Sequence, residues 1–112
     1  MEAIARVKNL RGSARKARLV LDLIRGKKVP EAQNILLFSK KRVAESIAKV
    51  LNSAVANAQQ KDNKVDTGDM VVSTVFADDG PIMRRHRPRA HGRATIIRRR
   101  TCHITLELSE KE

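Results

Sequence analysis

The sequence predicts an α+β protein in which three helices pack on a small antiparallel sheet and a long β-hairpin protrudes. Apolar residues between positions 44 and 58 recur every three or four residues, which is typical of a helix with one buried face. Apolar and polar residues alternate near both ends of the chain, which indicates half-buried strands. The 112 residues are enough for one compact domain and too few for two ordinary ones.

The first two elements are predicted to be a strand and a helix. Residues 2–11 alternate between two faces and form the strand, which Gly12 ends. Ser13 is a favourable N-cap for a helix over residues 14–25, and Gly26 suits the left-handed position after it. The inward face of the strand is predicted to comprise Ala3, Ala5, Val7 and Asn9.

Two further helices are predicted before the next strand. Pro30 fits the first turn of a short helix that stops near Phe38, because the missing proline N–H is not needed there. Ser39 is predicted to cap a longer helix over residues 40–60. The inward face of that helix is predicted to comprise Ala44, Ile47, Ala48, Leu51, Ala54, Val55 and Ala58.

The second half of the chain is predicted to contain a polar loop at residues 61–69 and strands at residues 70–78 and 94–108. Alternation in the last strand assigns its side chains to two faces. The core face is predicted to carry Cys102, Ile104, Leu106 and Leu108. The opposite face is predicted to carry Thr101, His103, Thr105 and Glu107.

An arginine-rich segment, residues 80–100, is predicted to form an extended hairpin arm, while residues 1–79 and 101–112 form the globular part. The segment has no apolar face to bury, and Pro81 and Pro88 are incompatible with a central strand. Folded near its middle, each side would span roughly 10–15 residues, or about 30–50 Å at ~3.3 Å per residue. A free two-stranded ribbon is only marginally stable in water, so a partner must support it.

Positive charge is concentrated in two regions of the chain. The formal net charge is +12, with net +7 in residues 1–30 and eight arginines but no acid in residues 80–106. Such a surplus indicates a polyanionic partner, which is either nucleic acid or an anionic membrane surface. No stretch approaches the ~20 apolar residues of a membrane span, and the N-terminus lacks a signal-peptide pattern. We therefore expect a cytosolic protein that binds nucleic acid.

The predicted nucleic-acid contacts are cations at helix starts and along the hairpin. Cations in a helix's first turn oppose its dipole and cost about 0.3–1 kcal/mol each, so their presence indicates bound phosphate. The candidates in the globular part are Arg11, Arg15, Lys16, Arg18, Lys27, Lys28, Lys40, Lys41 and Arg42. The candidates in the hairpin are Arg84, Arg85, Arg87, Arg89, Arg93, Arg98, Arg99 and Arg100. For any one cation of the globular part, the alternative is a solvated surface side chain.

No enzyme, metal or cofactor site is predicted. Cys102 and His103 are adjacent and would point to opposite faces of a strand, so they cannot form a nucleophile–base pair. The chain has neither a C-x-x-C nor an H-E-x-x-H motif, and its glycines do not cluster in a phosphate-binding loop. Two phenylalanines are too few for the base-stacking platform of an RRM or OB domain. Binding must then depend mainly on cations and shape.

Three segments resemble the family of bacterial large-subunit ribosomal proteins numbered twenty-two. They are SARKARLVLDLIRGKKV (13–29), KVLNSAVANAQ (49–59) and DDGPIMRRHRPRAHGRATIIRRRTCHIT (78–105). The resemblance implies a structural, non-enzymatic protein of the cytoplasmic ribosome that supports subunit assembly. It also implies a globular α+β domain near the exit of the nascent-peptide tunnel and a hairpin that threads through the 23S rRNA.

The resemblance further implies which residues line the tunnel and which molecules are partners. The hairpin tip matches the family's turn and would lie close to the macrolide-binding region. Its residues are Met83, Arg84, Arg85, Pro88, Arg89, Ala90, His91, Gly92 and Arg93. The implied partners are 23S rRNA, neighbouring large-subunit proteins and the nascent polypeptide. Neither a membrane nor a second copy of the chain is expected.

An architectural DNA-binding protein with a basic β-ribbon arm is the alternative interpretation. A basic hairpin with a proline at its tip can wrap DNA through the minor groove. Such proteins usually bury a dimer interface, and the sequence shows no clear apolar stripe for one. The ribosomal interpretation is therefore preferred.

Overall fold

The fold is seen in a computed structural model that describes residues 2–62, 64, 66–88, 92 and 94–110; for residues 83, 85–88 and 94–98 the description covers the backbone alone. The helices are α1 (Ala14–Ile24), α2 (Val29–Phe38) and α3 (Arg42–Lys61), followed by a short 3₁₀ turn at Thr67–Asp69. The strands are β1 (Glu2–Arg11), β2 (Met70–Asp79), β3 (Met83–Pro88), β4 (Ala94–Arg99) and β5 (Thr101–Glu110).

The three helices pack on an antiparallel three-stranded sheet of order β1-β5-β2, which confirms the predicted fold class. β5 is the central strand, where Leu106 pairs with Ala5 on one side and Val75 on the other. The predicted core face of β5 is buried, as are most of the predicted inward residues of α3. Within the described residues this core is aliphatic apart from Met70 and Cys102.

The predicted start and end of α1 are confirmed. The hydroxyl of Ser13 accepts a hydrogen bond from the backbone N–H of Lys16 at 3.2 Å, which satisfies one of the unpaired donors of the helix start. Gly26 follows the helix with φ of +78°, a conformation that costs glycine little because it has no Cβ.

The predicted inward position of Asn9 in β1 is wrong. The register between β1 and β5 shifts between Val7 and Leu10, and Asn9 adopts φ of 58° at this bulge. The extra residue leaves Asn9 exposed, and Leu10 packs against the core instead. The backbone N–H of Asn9 donates to Nδ1 of His103 at 3.0 Å, so the bulge is held by the central strand.

The predicted cap of the third helix is also wrong. Ser39 is the residue that ends α2, and its hydroxyl accepts from the N–H of Lys41 at 3.3 Å. α3 begins at Arg42, with Lys41 as an N-cap that makes no side-chain capping bond. The apolar periodicity located the buried face correctly but did not report the extended segment between the two helices.

The single strand predicted at residues 94–108 is two strands in two sheets. β4 pairs with β3 from Met83–Arg99 to Pro88–Ala94, and β5 continues in the main sheet after Arg100. Thr101, predicted on the face opposite the core, is 5% exposed. Its hydroxyl donates to the carbonyl of Pro81 at 2.6 Å, so the buried polar group is satisfied where the strands change sheets.

The molecule is elongated. Its principal extents are 65 × 25 × 17 Å, and its radius of gyration of 17.2 Å exceeds the about 13 Å expected for a compact chain of this length. Among the described elements, the extensive contacts of β3 and β4 are with each other.

Candidate nucleic-acid interface

The nine candidate cations of the globular part are all exposed. No member of this set pairs with a carboxylate of the described residues. The ion pair seen among the described residues joins Arg25 to Asp22. Unpaired exposed cations keep their charge available to an external anion. The nine residues lie in three places: near the junction of the two sheets, around both ends of α1, and between α2 and α3.

The guanidinium of Arg18 already has an intramolecular partner. Its Nε and Nη2 atoms donate to the backbone carbonyl of Ala77, at 3.1 and 2.8 Å. Ala77 lies on β2, an edge strand, so Arg18 ties α1 to the sheet. Arg15 and Lys16 make no side-chain hydrogen bond to a described residue. The same helix therefore carries one anchored cation and two available ones.

The backbone of Lys27 and Lys28 is fixed against the same edge strand. The N–H of Gly26 donates to the carbonyl of Val72 at 2.8 Å, and the N–H of Val72 donates to the carbonyl of Lys27 at 2.9 Å. Lys28 forms an isolated bridge with Val71. These bonds hold both lysine backbones in place, while their side chains remain exposed.

Cations that are distant in sequence meet where the hairpin joins the globular part. The N–H of Gly12 donates to the carbonyl of Arg100 at 2.9 Å, which places Arg11 beside the end of β4. Arg84, Arg99 and Arg100 are exposed in the same region. We call Arg11, Arg84, Arg99 and Arg100 the neck cluster. It unites a candidate of the globular part with three candidates of the hairpin.

A comparison with known proteins decides the family. The sequence profile of the family "Ribosomal protein L22p/L17e" matches residues 5–109. The chain belongs to this family. Large ribosomal subunit protein uL22 of Desulforamulus reducens is 52% identical over 112 residues, which cover 100% of this chain and 98% of that relative.

Membership in the L22p/L17e family confirms the family that the three segments predicted. The chain is a ribosomal protein of the large subunit and takes part in translation, and its predicted location on the cytoplasmic ribosome is confirmed with it. The match favours this interpretation over an architectural DNA-binding protein, because it covers both the globular part and the arginine-rich segment.

Part of the predicted tip of this L22-family chain lies outside the described residues, namely Arg89, Ala90, His91 and Arg93. Gly92 is described and has φ of +72°. On the strands, Arg84 pairs with Arg98, Arg85 with Ile97, and Arg87 with Thr95. This register places many arginine backbones along one narrow two-stranded ribbon. Mutual repulsion along it is an internal cost that an external anion would offset.

Arg25 was not among the predicted site residues, and the structure gives it a structural role. Its Nη2 donates to the carbonyl of Val75 at 2.9 Å, and its Nη1 pairs with Asp22. Asp22 and Arg25 are three residues apart at the end of α1, and this spacing is the sequence signal that could have predicted the ion pair. The contact with β2 had no local signal.

The described residues include no group of three or more His, Cys, Asp or Glu side chains placed to hold a metal ion. Burial raises the pKa of the Cys102 thiol, and the Asp79 carboxylate raises it further. The thiol is therefore protonated near neutral pH and unsuited to nucleophilic attack. None of the described helices is long and apolar enough to span a bilayer.

Proposed function

We propose that this large-subunit protein is a structural, non-enzymatic component that binds 23S rRNA through its basic helix ends and its arginine-rich hairpin. The observation that carries the proposal is the set of exposed cations that pair with no carboxylate of the described residues. Both the hairpin and the globular part contribute such cations to the neck cluster. A single RNA strand at the neck would contact both parts at once. Such a bridge is how the protein supports subunit assembly.

The proposal divides the chain into a globular part, residues 1–79 and 101–112, and an arm, residues 80–100. The elongation of the molecule and the separate β3–β4 sheet support this division. The arm threads between rRNA segments, and its tip, residues 83–93, lines the nascent-peptide tunnel close to the macrolide-binding region. The partners are then 23S rRNA, neighbouring large-subunit proteins and the nascent polypeptide.

Sedimentation of the tagged protein from cell lysate tests the assembly with the subunit. We expect the protein to travel with large subunits through a sucrose gradient and to stay with them at high monovalent salt. Contacts made by cations alone would weaken steeply with salt, whereas an arm enclosed by RNA is retained by shape. A protein that stays at the top of the gradient, or that follows nuclease-sensitive DNA, would contradict the proposal.

Cross-linking from a cysteine at the tip tests the tunnel assignment. Cys102 is the one native cysteine, and it is buried. In a His91→Cys variant, a thiol reagent should therefore react with the introduced cysteine. We expect a thiol cross-linker to join position 91 to stalled nascent chains that carry a cysteine. A matched Ser53→Cys variant, on the exposed side of α3, should give no such product. Equal cross-linking from both variants would overturn the assignment.

A further inference from the structure

Both aromatic side chains of this protein lie at the surface. Phe38 is 80% exposed and Phe76 is 42% exposed, while the core of the described residues is built from aliphatic side chains, Met70 and Cys102. An aromatic ring contributes 150–250 Å² of surface when buried, so leaving it in water forgoes a large stabilisation. Leu37, the neighbour of Phe38, is 73% exposed. The end of α2 thus presents an apolar patch that no other part of the described chain covers.

The patch adjoins the extended connection, residues 39–41, between the packed helices α2 and α3. Ser39 and Lys41 both have extended backbone angles, with φ of −74° and ψ of 135° and 132°. The N–H of Ser39 donates to the carbonyl of Leu36 at 3.3 Å, and the hydroxyl of Ser39 accepts from Lys41 at 3.3 Å. Leu36 is buried between the helices. Hydrogen bonds that already order a connection reduce the conformational entropy that the protein loses when a ligand binds there.

Three exposed cations follow Phe38 after a single intervening residue, Ser39. They are Lys40, Lys41 and Arg42, and none of them pairs with a carboxylate of the described residues. The first acid after them is Glu45, in the first turn of α3. A flat apolar ring beside a run of cations is complementary to a ligand that joins a flat apolar group to an anion. An unpaired nucleotide has both, in its base and its phosphate.

We infer that Phe38 stacks on an unpaired base of the ribosomal RNA while Lys40, Lys41 and Arg42 bind the adjoining phosphates. The inference rests on the proposed rRNA binding and assigns a ligand to one part of that surface. An apolar pocket on a neighbouring protein would accommodate Leu37 and Phe38 but would not need the cations. The charge next to the ring is what favours RNA.

Substitutions at Phe38 test the stack, with in vitro transcribed 23S rRNA as the probe at one fixed salt concentration. Phe38→Ala removes the stacked base contact and should weaken binding on the order of tenfold. Phe38→Tyr keeps the ring and should bind within about twofold of the wild type. Phe38→Leu keeps the apolar character without the ring and should bind like Phe38→Ala.

Phe76→Ala is the matched control, because it removes the other exposed ring from a surface outside the Lys40–Arg42 segment. It should leave rRNA affinity within about twofold, provided that circular dichroism shows both variants folded. Affinity retained by Phe38→Leu or Phe38→Ala, with the wild type binding normally, would overturn the stack alone. A wild-type protein that fails to bind 23S rRNA would instead overturn the proposed function.

Photo-cross-linking in assembled large subunits separates the two kinds of partner. A photoreactive phenylalanine analogue at position 38 should form a covalent adduct between the protein and RNA. Ribonuclease should shorten the RNA of this adduct, and protease should leave a peptide attached to the RNA. A product containing a second protein would overturn the inference and assign the patch to a protein neighbour. Absence of any product, together with normal affinity of Phe38→Ala, would also overturn it.

Discussion

Gly80 shows how a single residue controls the junction between the two sheets. A Cβ at this position would lie 2.5 Å from Oγ1 of Thr101 and 3.1 Å from Cε1 of His103. The Thr101 hydroxyl cannot turn away freely, because it donates to the carbonyl of Pro81. The N–H of Gly80 also donates to the carbonyl of Thr101 at 2.9 Å. Glycine is required here by close approach.

A Gly80→Ala substitution should therefore destabilise the protein. Forcing a methyl group into a packed site typically costs about 1–3 kcal/mol, and here it also disturbs the Thr101 hydrogen bond. We expect that loss in the free energy of unfolding measured in urea. Gly68→Ala is the comparison, since its Cβ would meet the side chain of Asp66 at 3.2 Å and no backbone. An equal loss in both variants would contradict the account of the junction.

Cys102 offers a second test at the residue scale. Its pKa is raised by burial, so the thiolate that reacts with disulfide reagents is scarce in the folded protein. At pH 8 we expect reaction with an aromatic disulfide to be at least about tenfold slower in the native protein than in urea. Since this is the one cysteine of the chain, the colour change reports it alone. Similar rates in both conditions would show that the site is open.

At the scale of elements, β2 illustrates how an edge strand is protected. Unpaired edge groups are a template for aggregation, and proteins cover them with side chains or loops. Here Arg18 and Arg25 donate to the carbonyls of Ala77 and Val75, and the chain after α1 pairs with Val72. On β1, the opposite edge, Asn57 and Lys61 of α3 donate to the carbonyls of Ile4 and Glu2. Helix side chains thus satisfy groups at both edges.

The two arginines of α1 should respond differently to substitution. Arg18→Ala removes two hydrogen bonds to Ala77, and we expect a loss of about 1 kcal/mol in the free energy of unfolding. Arg15→Ala removes an exposed cation without a described partner, so stability should change by less than about 0.5 kcal/mol. Affinity for 23S rRNA should show the reverse ranking if Arg15 contacts phosphate. Chemical denaturation measures the loss of stability, and filter binding measures the loss of RNA affinity. The same variant showing the larger loss in both assays would contradict the assignment of a structural role to Arg18 and a binding role to Arg15.

Whether elements could be predicted depended on how local their signals were. Apolar periodicity predicted the buried face of α3, because a helix that packs on a sheet must repeat at 3.6 residues. The start of α3 was mispredicted because Ser39 is a favourable N-cap residue by type, whereas its hydroxyl accepts from the Lys41 N–H within the connection. The bulge at Asn9 escaped prediction because nothing local distinguishes it; Nδ1 of His103 supplies its hydrogen bond from the far end of the chain.

At the scale of the whole molecule, charge and shape act together. The net charge of +12 is carried by a chain 65 Å long, so repulsion is spread out and many cations can reach one polyanion. Affinity for isolated RNA, in which the arm is not enclosed as it is in the assembled subunit, should then fall steeply with salt, because each phosphate contact releases counterions.

Neutralising part of the neck cluster tests this view. In Arg99→Gln/Arg100→Gln, the slope of log affinity against log salt should become shallower by about 0.7–0.9 for each lost phosphate contact. The control is Lys49→Gln/Lys64→Gln, which removes the same charge from two exposed cations outside the predicted interface. Titrations of 23S rRNA at several salt concentrations give both slopes. Equal changes would mean that net charge alone, and no particular cluster, determines binding.

Taken by itself, the sequence determined the types of the elements, most of their buried faces, the basic character of the surface and the family. These properties follow from local periodicity, composition and motifs. Such features can be recognised without knowing which segments are in contact in the folded protein. The tertiary structure decided that β5 is central, that Arg18 and Arg25 cover an edge, and that Arg11 lies beside Arg100. Each of these depends on contacts between residues far apart in the sequence, from 23 positions for Asp79 and Cys102 to 107 positions for Glu2 and Ser109. Strand pairing is a property of the folded chain rather than of any one segment.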